Sequence, residues 1–236
     1  FAFMRLPGLN AQQARAFSYE TNATRNTLAC ALRLLSTDAL TENTRDPIMV
    51  LLSSGLERLH KLTLGVIAID DTGHWGNSKA RGHLVEEMHD SLMAEIDRRA
   101  VDHPYIRELA VATRSDAVLP AVITCADNFA REGRYSYLDA LAGATTRATN
   151  PETAWRAIED AASKDRDVAE QQARARQASS DNQKWSAARM TQNAAITRSV
   201  TTFWDLIAVG GAHRLYGELG RTLSTEINRR NVGRQV

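Results

Sequence analysis

Runs in which Val, Ile, Thr and aromatic residues alternate with polar ones are all but missing from this chain. Stretches rich in Ala, Leu, Arg, Glu and Gln stand in their place and run for twenty residues and more. A half-buried strand needs apolar residues at every second position, whereas a helix needs them three and four apart. Only the helical spacing is present, so the chain is expected to be all-α, a bundle of six or seven helices with no sheet.

Caps and breakers divide the bundle. Asn10 is a candidate cap for a first helix running through "AQQARAFSYETNATRNTLACALRLL" to about Leu35. Pro47 suits the first turn of a second helix, in which Val50, Leu52, Leu56, Leu59 and Val66 recur near a 3.6 period up to about Ile69. The stretch "DDTGHWGNSKARG" carries three glycines and reads as a loop. A third helix, "HLVEEMHDSLMAEIDRRA", should stop before Pro104, and a fourth should break near Pro120. Asn150-Pro151 opens a second region made of "PETAWRAIEDAASKDRDVAEQQARARQ", a longer helix after it, and a basic polar tail. The expected division is therefore a bundle domain over residues 1–149 and a C-terminal helical extension over 150–236.

Charge and cysteine content narrow the setting. The net charge of +1 creates no overall field that would draw the protein to nucleic acid. Basic residues are lopsided, 25 Arg to 4 Lys, but acidic residues lie among them and no run of five basic residues occurs, so the bias reads as genome composition. No stretch of about 18 apolar residues is present, and "FAFMRLPGLN" lacks the layout of a signal peptide. A cytoplasmic protein without membrane association is expected. Cys30 and Cys125 read as buried small hydrophobes, not a disulfide.

Within the second helix, "SSGLERLHKL" sets Glu57, Arg58, His60 and Lys61 among leucines. One reading is a metal site. Glu57 and His60, like Glu86 and His89, stand at i and i+3 and so project from one helix face, as in ferritin-like di-iron proteins, where Glu20 could add a lone ligand. The order departs from that architecture, because the two pairs lie on adjacent helices. The other reading is structural: Glu57 and Lys61, at i and i+4, pair on the flank of the helix. His83, at the start of the third helix, is a candidate base or RNA ligand, or a ring bonded to a neighbouring helix. Trp155, Trp185 and Trp204 read as packing anchors. Nucleotide loops, Cys-x-x-Cys and Gly-x-Ser-x-Gly are absent, so no metal and no cofactor is expected.

"LLSSGLERLHKLTLGV", followed by a loop and "GHLVEEMHDSL", resembles the HEPN superfamily (higher eukaryotes and prokaryotes nucleotide-binding domains). Gly55, Glu57 and Lys61 match its Gly/Ala-x-Glu-x-x-x-Lys pattern, and Gly82 with His83 matches the start of its third helix. "NFAREGRYSYLDAL" is similar to a Gly-Arg-Tyr segment of bacterial members. The resemblance covers roughly residues 10–143. It implies a HEPN-like bundle, a homodimer, and metal-independent RNA cleavage by an Arg and a His four to six residues later. Arg98 and His103 fit that spacing, although Arg99 stands where a small polar residue is usual and Pro104 follows at once. In such a site the Arg would stabilise phosphate charge and the His would move the 2′-hydroxyl proton. Arg131, Arg134 and His83 are candidate RNA contacts.

Two functions are expected from this reading. One is a ribonuclease or RNA-binding effector of a toxin–antitoxin or phage-defence system, partnered by RNA or an antitoxin. The other is a degenerate, non-catalytic helical module that binds a protein or nucleotide partner.

Overall fold

The computed structural model describes residues 6–37, 42–77, 82–144, 149–178 and 181–232. Ten α-helices and no strand occur among them: α1 (Ala11–Leu35), α2 (Glu42–Thr72), α3 (Val85–Arg99), α4 (Pro104–Arg114), α5 (Leu119–Arg131), α6 (Ser136–Leu141), α7 (Pro151–Ala162), α8 (Arg166–Gln177), α9 (Asn182–Ala212) and α10 (Gly217–Ile227). The all-α bundle is as the helical spacing predicts.

Helix α2 is the axis. From Leu52 to Ile69 it buries residues on nearly every face, because α1, α3, α5 and α10 all pack against it. Gly55 lets α1 come close, since a Cβ there would lie 2.7 Å from the side chain of Leu28. Helices α7 to α10 share the same core as α1 to α5. Trp155, Phe203, Trp204 and Tyr216 are fully buried in it. The Trp204 indole N–H donates to the Ile227 carbonyl at 2.9 Å, which fastens α9 to the end of α10.

Local chemistry accounts for the boundaries. Asn10 and Gln13 form a reciprocal capping box at the start of α1. Asn150 accepts from the Glu152 amide at 2.8 Å ahead of Pro151. Other ends are capped from a distance. Asp127, buried on α5, accepts from the Glu86 amide in the first turn of α3 at 3.3 Å. Arg25, buried on α1, donates to the Glu226 carbonyl in the last turn of α10 at 2.7 Å, where the helix dipole favours a cation.

Several expectations need correcting. Helix α2 starts at Glu42, so Pro47, its sixth residue, lies inside it and removes one backbone hydrogen bond in the second turn. It also continues through Asp70, Asp71 and Thr72, which read as loop. The stretch after Asn150 is two helices rather than one, because Asp165 caps α8 by accepting from the amides of Asp167 and Val168. Cys30 is exposed on α1, whereas Cys125 is buried, its thiol pushed up to about 12 by loss of solvation. Both thiols are free. The tail beyond Val232 and part of the loop after α2, residues 78–81, lie outside the described residues.

Candidate functional site

Helix α1 presents Gln13, Ala16, Phe17 and Glu20 at helical spacing toward α2, which offers Arg58, Lys61 and Leu62 in return. Between them lies a cleft of about 370 Å³, lined also by Leu9 and Trp75. Trp75 arrives from the turn that follows α2. Gly73 takes φ +75 there, and the Thr72 hydroxyl, donating to the Ala68 carbonyl at 2.7 Å, accepts from the His74 amide at 3.2 Å. The chain thus doubles back and lays the indole on Gly65. A Cβ at that position would collide with the ring. Phe17 meets Trp75 edge-on, with centroids 6.2 Å apart. The volume, the aromatic and aliphatic floor and the few polar groups at the wall are those of a small-ligand pocket.

The polar wall is paired. Arg58 lies 3.3 Å from Glu20, with both side chains about half exposed. Lys61 donates to Glu57 at 2.7 Å, and His83 approaches both oxygens of the same carboxylate at 3.0 and 3.1 Å. Partial burial would raise the Glu57 carboxyl, but hydrogen bonds from Lys61 and His83, and their charge, outweigh it and hold the group below the usual carboxylate value. The i, i+4 pair expected from the sequence is therefore present, extended by the ring at the start of α3. Glu57 in turn fixes Lys61 at the mouth of the cleft.

The four residues of the metal reading do not converge. Glu57 faces Lys61 and His83, while Glu86 accepts from the Thr124 hydroxyl. His60 and His89 meet each other, stacked and tilted against Phe203. Among the described residues no group of three metal-ligating side chains is assembled.

Arg98 and His103 are also apart in their contacts. Arg98 is exposed at the end of α3 and bonds Glu95 at 2.6 Å, with Asp71 at 3.4 Å. Its neighbour Arg99 is nearly buried and grips Asp70 at 2.6 Å, Asp71 at 2.5 Å and the Leu215 carbonyl at 3.1 Å. His103 sits one residue before α4, its ring edge-on to His213 at 6.4 Å. No contact joins Arg98 to His103 among the described residues. Arg131 lies 3.5 Å from Asp127. Arg134 is exposed in a single 3-10 turn ahead of α6. Trp155 and Trp204 are core anchors, as read from the sequence, and Trp185 is half-buried.

Sequence reasoning missed the cleft. Phe17, Lys61 and Trp75 lie on three separate segments, and the one available signal was Gly65, a residue without a side chain in the middle of an apolar helix. Comparison of the chain with protein-family models, curated proteins and solved structures gives no match.

Proposed function

We propose that the chain is a non-catalytic helical binding module whose ligand is a mononucleotide-sized molecule with a flat apolar body and an anionic group. The observation that carries this reading is the cleft itself: Phe17, Leu62 and Trp75 form an apolar floor, and Arg58 and Lys61 stand together on one wall. A flat ring system would lie against the indole, and an anion would reach the guanidinium and the ammonium, sharing them with Glu20 and Glu57. Of the residues that match the HEPN pattern, Lys61 lines the cleft, paired with Glu57, which His83 also approaches. The nuclease reading has less behind it, because among the described residues Arg98 contacts Glu95 and Asp71 while His103 meets His213, and no contact joins the two.

Calorimetric titration with adenosine and guanosine monophosphates, with inorganic phosphate as control, tests the proposal. Saturable nucleotide binding that quenches tryptophan fluorescence and is lost in Trp75→Leu and in Lys61→Ala is the expected result. Absence of heat and of quenching with every mononucleotide would overturn it. Incubation with total RNA in EDTA weighs the alternative: cleavage by the wild type that disappears in His103→Ala would restore the ribonuclease.

A further inference from the structure

The cleft between α1 and α2 differs in chemistry from one end to the other. The two helices run antiparallel: Glu20 meets Arg58, Phe17 meets the indole that lies on Gly65, and Gly8 abuts Ile69. Gln13 comes between Gly8 and Phe17 along the chain, so it stands at the Trp75 end, two helical turns and about 10 Å from Glu20. The cations Arg58 and Lys61 belong to the other part of the wall. A ring lying against the indole would therefore present its edge to Gln13.

Given that the cleft holds a mononucleotide, as proposed above, we propose that Gln13 selects its base and that the base is an oxopurine, guanine or hypoxanthine. A side-chain amide has an accepting oxygen and a donating NH2, and the capping box decides which of them is left for a ligand. The backbone N–H of Asn10 donates to Gln13 Oε1 at 2.9 Å, while the Gln13 N–H donates to Asn10 Oδ1 at the same distance. A backbone N–H bonds only the oxygen, so Oε1 is turned back to the start of the helix. The Nε2 end is left over, exposed and without a protein partner among the described residues. The one other polar side-chain group lining that end is the indole N–H of Trp75, also a donor. Glutamine reads adenine with both ends of its amide side by side, the oxygen on the N6 amine and the nitrogen on N7. Here the oxygen is engaged, and the adenine amine would meet a donor. Guanine and hypoxanthine instead carry two acceptors, O6 and N7, on that edge.

Calorimetric titration of the full chain with guanosine, inosine and adenosine monophosphates tests the selection. The guanine and hypoxanthine nucleotides should bind alike, because the 2-amino group plays no part, and the adenine nucleotide at least about fivefold more weakly. Gln13→Ala should bring the three affinities together. Gln13→Glu keeps the capping box, for which glutamate is as good a partner, and replaces the outward NH2 by an oxygen. Its charge weakens every anionic ligand, but the adenine nucleotide should now bind best. A damaged cap would weaken all three nucleotides alike, so the ratio of affinities is the readout. The proposal is overturned if the wild type binds the adenine nucleotide as tightly as the guanine one, if inosine monophosphate follows adenosine monophosphate, or if either variant leaves the ratio where it was. Equal binding of all three removes the base preference alone and leaves the cleft a nucleotide site. Binding of none removes the nucleotide reading of the cleft and the preference with it.

Discussion

The imidazole of His89 lies 3.1 Å from that of His60, Nδ1 to Nε2, in the space where α2, α3 and α9 meet. His60 is fully buried, and its Nδ1 donates to the Leu56 carbonyl at 2.7 Å. A carbonyl can only accept, so Nε2 of the neutral ring is the acceptor for the His89 N–H. The bond requires a neutral His60, because a proton on its Nε2 would face the Nδ1–H of His89. It explains how an apolar helix carries a histidine in its middle: every polar atom of the ring has a partner, and Phe203 stacks on its face.

Acid should therefore loosen the fold. Burial, and then the charge of His89, lower His60 from its ordinary value to about 3, and burial also lowers His89. Both groups take up protons more readily in the unfolded chain, so stability is full above about pH 6.5 and falls as the pH drops toward 3. Between pH 7 and pH 5 the loss from His60 is about 2 kcal/mol, with His89 adding in the same direction. Urea unfolding at a series of pH values measures it. A flat stability between pH 7 and 5 would show that the pair is not closed in solution.

Gly65 should not tolerate a side chain. The methyl group of Gly65→Ala would occupy the place of the Trp75 ring, and the turn that carries the indole cannot move without opening the cleft. The cost should be about 1–3 kcal/mol, with a red shift of tryptophan emission as the ring is expelled. Gly55→Ala offers a comparison, since it presses on Leu28 in the core instead. It should lower stability similarly and leave the emission maximum in place. An unshifted emission in Gly65→Ala would place the indole elsewhere.

Much of this architecture is legible in the residues. Asn10, Asn150 and Pro151 mark helix starts because their chemistry is local, and the Glu57–Lys61 pair follows from spacing alone. What escaped depends on distant partners. Asp70 and Asp71 look like loop residues because carboxylates disfavour a helix C-terminus. They stay helical because Arg99, 28 and 29 positions along the chain, neutralises them. Asp127 as a cap for α3 and Trp75 as a wall of the cleft escaped for the same reason. Cys30 was misjudged because α1 turns that face to solvent, which a run of apolar neighbours does not disclose.

Two adjacent arginines should behave in opposite ways. Arg99 is enclosed by three carboxylates and a carbonyl, so Arg99→Ala leaves Asp70, Asp71 and Glu95 crowded without a cation. The expected loss is about 2–3 kcal/mol. Arg98 stands in solvent and should be replaceable by Ala with no change in the denaturation midpoint. Parallel denaturation curves of the two variants decide the point. Equal losses would mean that the carboxylates are not shared as the geometry shows.

Asp116 ties the start of α5 to α9. One oxygen of its carboxylate accepts from the amides of Val118 and Leu119, each at 2.8 Å, and from the Ser199 hydroxyl at 2.6 Å. The first two bonds cap α5, and the third crosses to a buried position on α9. Asp116→Ala removes all three and strands the Ser199 hydroxyl, so it should cost about 2 kcal/mol or more. Ser199→Ala removes one bond and leaves the cap intact, for about 1 kcal/mol. Once Asp116 is gone, Ser199→Ala deletes only an orphaned hydroxyl and should be neutral or stabilising. The double variant should then be no less stable than Asp116→Ala alone. Strictly additive losses across the cycle would show that the two residues act separately and that α9 is held to α5 by packing alone.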